Sequence, residues 1–196
     1  VAPNWVYSKF VKHVFIPVHI DKKSFTKKGI HKTKITQYNG YKENIYIADY
    51  IPDPDFMKSL PFQSFITIRP ENLKASYVPD DAESIVPKLV EILIEKGFNI
   101  LYLPRYEDDK RYVREHPQIY IPKAPLNGLY VCYYSSAVLT GAGTFAREAA
   151  ILGTPAISFF AGKDLLSVDQ SMIKSKMMYH SRNIDTIVEL IFKIKK

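Results

Sequence analysis

The sequence predicts an α/β fold in which six strands form a parallel sheet covered by helices on both faces, and three observations carry that expectation. From Ser64 onward, short apolar runs alternate with helical stretches, as in chains that build parallel sheets. One of those runs, Val138-Leu139-Thr140, passes through Gly141-Ala142-Gly143-Thr144 into a helix stopped by Gly153 and Pro155. The last segment, Asp185 to Ile194, sets Ile184, Ile187, Val188, Ile191 and Ile194 along one stripe.

Taken in order, Val14 to Ile20 reads as a strand interrupted by Pro17, followed by a lysine-rich loop to about Thr33. Lys34 to Tyr38 is a second strand, closed by the Asn39-Gly40 turn. This opening part has few helix signals and reads as a short irregular remnant or linker over residues 1–45, ahead of the regular domain at 46–196. Pro52-Asp53-Pro54-Asp55 caps a short helix, Phe56 to Leu60. Phe65 to Arg69 is the first strand of the sheet. Ala82 to Lys96 is a helix ended by Gly97, and Pro87 inside it moves its effective start toward Ser84 or kinks it. Phe98 to Leu103, Gln118 to Ile121, Ala137 to Thr140, Ala156 to Phe160 and Met177 to Tyr179 complete six strands. In the common order 3-2-1-4-5-6, the first and fourth are neighbours and the crevice between their carboxyl ends is the binding position.

Composition narrows the class. The 196 residues are 46% hydrophobic, enough for one good core, and no apolar run approaches transmembrane length. The single cysteine, Cys132, excludes an internal disulfide and suits a reducing cytoplasm; its apolar, tyrosine-rich setting favours packing over nucleophilic chemistry. The net charge of +7 is uneven, because residues 1–42 hold nine lysines against Asp21. No arginine and no nucleic-acid motif accompanies them, so a solvated lysine face is expected and no specific nucleic-acid partner. The five histidines lack metal-ligand spacing, and no metal site is expected. Asp108-Asp109 and Asp80-Asp81 read as capping or loop residues, and Tyr130, Tyr133 and Tyr134 as packing between helix and sheet.

Two glycines between a strand and a helix allow a tight turn, and the helix N-terminus offers unpaired N–H groups and partial positive charge to an anion. A phosphate seat at Gly141, Ala142, Gly143 and Thr144 is the reading, with an unliganded turn as its alternative. The same residues fit G-x-G-x-x-G/A with Asp164 downstream, but the short helix and late position count against a dinucleotide fingerprint. Arg69 ends the first strand and would face that loop across the crevice, gripping a diphosphate from the other side; the alternative is an ion pair with Glu71 or Asp81. With Thr144 as N-cap, Glu148 has no capping duty. It lies one turn into the helix, where it can accept from both hydroxyls of a ribose or stand as an ordinary exposed glutamate.

At Gln37-Tyr38-Asn39-Gly40-Tyr41-Lys42-Glu43, Ile68-Arg69-Pro70-Glu71-Asn72, Tyr134-Ser135-Ser136 through Gly153-Thr154-Pro155, and Gly162-Lys163, the sequence resembles the carboxyl half of GT-B sugar-nucleotide enzymes. The branch is that of UDP-N-acetylglucosamine 2-epimerases and the lipid II-forming N-acetylglucosaminyltransferase. It looks closer still to a prokaryotic family, domain of unknown function 354. The resemblance implies a Rossmann-like, doubly wound domain that binds a nucleotide-diphosphate sugar, UDP or a UDP-sugar being the expected ligand and no further cofactor. It implies phosphate contacts at Gly141, Gly143 and Thr144, ribose contacts at Glu148, and a base resting near Ile121 to Lys123. It further implies that the opening residues are the last strand and linker of a mostly absent first domain. The 2-epimerases carry a histidine before the arginine of their His-Arg-Arg-Glu-Asn segment, where this chain has Ile68, so an acid–base imidazole is missing. This chain alone is therefore expected to be catalytically silent, its partner being the absent domain or a second subunit. A non-catalytic, homodimerising module, associating through the apolar stripe of the last helix, is the alternative.

Overall fold

The structure, a computed structural model, describes residues 8–194. The first two strands, β1 (Val14–Pro17) and β2 (Ile35–Tyr38), pair in parallel, with Val14 opposite Ile35. A one-turn helix α1 (Lys23–Thr26) connects them where the sequence reads as loop, and Ile16, Ile30 and Ile35 form a small core of their own. The opening segment is thus a short parallel unit, more regular than its lysine-rich composition suggests. A second one-turn helix, α2 (Asn44–Ile47), leads toward the main sheet.

The main sheet has six strands: β3 (Ile66–Arg69), β4 (Ile100–Tyr102), β5 (Ile119–Tyr120), β6 (Ala137–Thr140), β7 (Ala156–Ser158) and β8 (Tyr179–His180). They lie in the order β5-β4-β3-β6-β7-β8, all parallel, which is the expected 3-2-1-4-5-6 arrangement. Period-two alternation sends successive side chains to opposite faces. Ile66, Ile68, Ile100, Leu139 and Ile157 meet the helices α3 (Val86–Glu95) and α7 (Ile184–Ile194). Leu101, Val138 and Ala156 meet α4 (Gly128–Tyr134), α5 (Gly143–Ile151) and α6 (Ser167–Lys174). The core is therefore two layers separated by the sheet, and both faces are covered.

Several boundaries differ from the sequence reading for local reasons. The helix expected from Ala82 begins at Val86, with Pro87 in its first turn, where a missing N–H costs nothing and no kink results. The last strand is Tyr179–His180 rather than Met177–Tyr179, because the N–H groups of Met177 and Met178 donate back to the Met172 carbonyl (2.9 and 3.5 Å) and close the preceding helix. The apolar stripe of α7 is covered within the chain: Ile187, Val188 and Ile191 are buried against α3 and the sheet. Phe192, on the same helix, stays exposed.

The ends of the two central strands are held together by a backbone contact. Arg69 sits opposite Thr140 in the ladder, and the Gly141 N–H donates to the Arg69 carbonyl at 3.1 Å. A Cβ on Gly141 would lie 2.4 Å from the Cα of Glu71 and 2.8 Å from its nitrogen. The glycine is thus required by the neighbouring main chain. Glu71 has its carboxylate almost wholly buried, accepting from Ser84 Oγ (2.8 Å), the Ile85 N–H (3.2 Å) and Arg182 (3.0 Å). Arg182 also donates to the carbonyls of Phe159 and Glu83, so one ion pair joins the β3 loop, the start of α3, the end of β7 and the approach to α7.

Gly141→Ala forces backbone against backbone. It is expected to lower unfolding free energy in urea by about 1–3 kcal/mol, the usual range for overpacking. His180 supplies a pH test. Burial, and then the charge of Arg182, hold its imidazole below the ordinary 6.5, and its Nδ1 is buried without a partner. The unfolded chain therefore takes up the proton first. The contribution is present above pH 6.5 and is lost as pH falls from there through the folded pKa. His180→Gln is expected to flatten that part of the stability–pH curve relative to the parent.

Candidate functional site

A cleft of about 790 Å³ opens at the carboxyl ends of the strands. Its walls come from the loops after five of them: Arg69 and Asn72 after β3, Pro104 and Arg105 after β4, Pro122 to Leu126 after β5, Gly141 to Thr144 after β6, and Phe160-Ala161 after β7. This is the switch point, where crossovers leave in opposite directions and a crevice forms of necessity. The cleft brings together Arg69, Gly141, Ala142, Gly143, Thr144 and Glu148. Ile121 packs against the core beneath α3, and the loop lining the cleft begins one residue later at Pro122.

The glycine loop differs in detail from the sequence reading. The N-cap of α5 is Ala142, not Thr144, and Thr140 Oγ1 accepts from the Ala142 N–H at 2.9 Å. The Gly141 N–H is thus engaged across the sheet by Arg69 and the Ala142 N–H within the turn, while intrahelical bonding starts at Ala146, whose N–H donates to the Ala142 carbonyl. The donors left without a partner among the described residues are the N–H groups of Gly143, Thr144 and Phe145. They and the helix dipole make the mouth of α5 suited to an anion.

Arg69 makes no ion pair among the described residues; Glu71, the partner weighed from sequence, belongs to Arg182. The Arg69 guanidinium stands 5.8 Å from the ring centroid of Phe145. Burial, and then the nearby charge of Arg105, push it below its ordinary pKa. It stays protonated at neutral pH because the starting value is so high. Glu148 is held from outside the cleft by Tyr46 of α2, whose hydroxyl donates to Oε1 at 2.8 Å. Burial and that bond raise the Tyr46 pKa, keeping the hydroxyl a donor.

Beside Glu148, Arg147 turns the other way into a buried ion triad. Its Nε donates to Glu43 Oε1 and its Nη1 to Asp169 Oδ1, both at 2.7 Å, and Nη2 donates to Thr144 Oγ1 at 3.1 Å. Burial opposes the charge, but the bonds to Glu43 and Asp169 outweigh it and raise the pKa. A Cβ on Gly143 would meet Arg147 Nη1 at 3.0 Å, so this glycine, too, answers to a protein neighbour. Neither Glu43 nor Asp169 was singled out from sequence, since each lies far along the chain from Arg147.

The remaining candidates have structural duties. Asp109 is buried and accepts from the N–H groups of Arg105 and Tyr106, both at 2.9 Å, a capping role. Burial raises the thiol pKa of Cys132, which packs beneath α5. Tyr130 and Tyr134 pack, partly buried, against the core of the second face and form an aromatic group with Tyr50, Phe56 and Tyr133, which remains exposed. No helix among the described residues is long and apolar enough to cross a membrane.

Arg147→Met would leave two buried carboxylates without their cation. Chemical denaturation is expected to show a loss of about 3–5 kcal/mol, as for other broken buried pairs.

A protein of Methanocaldococcus jannaschii, uncharacterized protein MJ0665, is 34% identical over 110 residues, which is 56% of this chain and 32% of that protein. Among solved structures, the UDP-GlcNAc 2-epimerase from Methanocaldococcus jannaschii superposes with a TM-score of 0.66 at 16% identity, over 94% of this chain and 55% of that one. The same enzyme in complex with UDP-GlcNAc and UDP gives 0.65 at 18% identity, over 93% and 54%. The glycotransferase of kitacinnamycin gives 0.56 at 9% identity, over 93% and 46%. The chain thus spans about a third of the curated relative and about half of the solved chains. The fold is that of the Rossmann-like half of GT-B enzymes. The sequence profile of the family described as "Protein of unknown function (DUF354)" matches residues 2–196, and the chain belongs to that family.

Proposed function

We propose that the cleft binds a nucleotide-diphosphate sugar, UDP-linked, and that the chain is the donor-binding half of a glycosyltransferase or sugar-nucleotide epimerase. One observation supports this above the rest: the free N–H groups at the mouth of α5, Arg69 and Glu148 line a single cleft at the switch point. Three cations (Arg69, Arg105 and Lys123) line it against one carboxylate, a balance that favours an anion. In the proposed mode, the diphosphate lies between the helix mouth and Arg69. Glu148, with Oε1 already held by Tyr46, accepts from the ribose through its remaining capacity. The Pro122 to Leu126 loop stands where the base would rest.

The chain's part in a reaction would be to orient the donor and stabilise charge developing on the departing diphosphate. Ile68 is fully buried in the core and supplies no acid or base, so turnover would require groups from another domain or subunit.

Isothermal titration of UDP and 2′-deoxy-UDP tests the reading. The parent is expected to bind UDP more tightly than the deoxy analogue. Arg69→Gln should weaken both by about 10- to 100-fold, the worth of a charged hydrogen bond. Glu148→Gln should remove the preference for the ribose hydroxyl while leaving the diphosphate contacts. Equal binding of both nucleotides by the parent, or UDP affinity unchanged in both variants, would refute it.

A further inference from the structure

The charged groups around the cleft fall into two kinds. Those set back from its lining have protein partners: Asp108 pairs with Lys74 at 3.1 Å, Glu107 with Lys110 at 2.7 Å, and Glu71 with Arg182 at 3.0 Å. Asp109, four residues beyond Arg105, gives Oδ2 to two backbone N–H groups rather than to the guanidinium. Arg105 itself has no ion pair among the described residues, although it lines the cleft. Its Nε is buried with no hydrogen-bond partner. A guanidinium N–H withdrawn from water without an acceptor is costly.

The backbone beneath this side chain is well fixed. Asp109 holds the Arg105 and Tyr106 N–H groups, and the buried Tyr102 hydroxyl donates to the Asp109 carbonyl at 2.8 Å. Pro104, also at the cleft, restricts the turn just before it. Arg105 is close enough to Arg69 that its charge is the second cause, after burial, of the lowered Arg69 pKa. Two guanidiniums without ion pairs, on the loops of adjacent strands, repel one another, and the charges of Glu148 and Asp109 offset that only in part at Arg69.

We infer that Arg105 is a second phosphate-binding residue, and that the Arg69–Arg105 pair selects ligands carrying two linked phosphates over those carrying one. The inference rests on the sugar-nucleotide reading of the cleft for the identity of the ligand, but the residue's role depends only on the diphosphate. With Arg69 and the mouth of α5 serving one phosphate, Arg105 serves the other. Its planar fork of donors suits two phosphate oxygens, which a lysine ammonium cannot reproduce.

Titration of the full chain with UDP, UMP and inorganic pyrophosphate, using Arg105→Gln and Arg105→Lys, tests this. Circular dichroism and the thermal midpoint establish that both variants are folded. The parent is expected to prefer UDP to UMP by about tenfold or more, one charged contact's worth. Arg105→Gln should abolish that preference by weakening UDP while leaving UMP nearly unchanged, and Arg105→Lys should restore it only in part. UDP binding with the preference intact in Arg105→Gln overturns the inference while leaving the sugar-nucleotide reading standing. Pyrophosphate binding that depends on Arg105, with no UDP binding, supports the diphosphate role and refutes the nucleotide. Failure of the parent to bind either UDP or pyrophosphate overturns both.

Discussion

The contact between Gly141 and the main chain of Glu71 is the constraint from which the cleft takes its shape. Parallel strands at a switch point send their connections apart, and the loops must diverge from a common floor. Here the floor is two backbones packed closer than any side chain allows, and the buried Glu71 carboxylate beside them. Such a carboxylate persists only with its acceptor capacity filled, which Arg182, Ser84 and the Ile85 N–H do. The glycines of this loop therefore serve the fold first. Gly141 makes room for Glu71 and Gly143 for Arg147, and what remains for a ligand is the row of unpaired N–H groups that follows.

The arginines divide along the same line. Arg147 and Arg182 are neutralised by buried carboxylates and tie distant segments together. Arg69 and Arg105 carry no such partners and line the cleft, Arg105 with its Nε buried. A fold that neutralises two guanidiniums with well-formed ion pairs while leaving two others unmatched in a cleft has a local excess of positive charge suited to an outside anion.

The strand alternation was legible because each central strand is apolar on both faces, and the strand order is the common one for six such strands. Helix α6 was not legible, since SVDQSMIK buries only Asp169 and Met172 and shows no apolar stripe. The Tyr-rich α4 is too short for periodicity to separate it from a strand or loop. At the site, Arg69 and Glu148 could be singled out because they flank a recognisable turn. Glu43 and Tyr46 could not, because their partners lie about a hundred residues away and no local pattern announces a bond across that gap. Arg105 was hidden for a different reason. It sits in a polar turn whose aspartates are natural caps, and only three-dimensional packing reveals that its Nε lacks an acceptor.

Glu43 and Tyr46 lie three residues apart, and they hold consecutive residues of one helix, Arg147 and Glu148. Helix α2, with its cap, is thus geared to the wall of the cleft through two teeth on a single rack. Twisting that helix would drag on the carboxylate that lines the cavity, and a guest pulling on the carboxylate would push back on the helix with the same free energy.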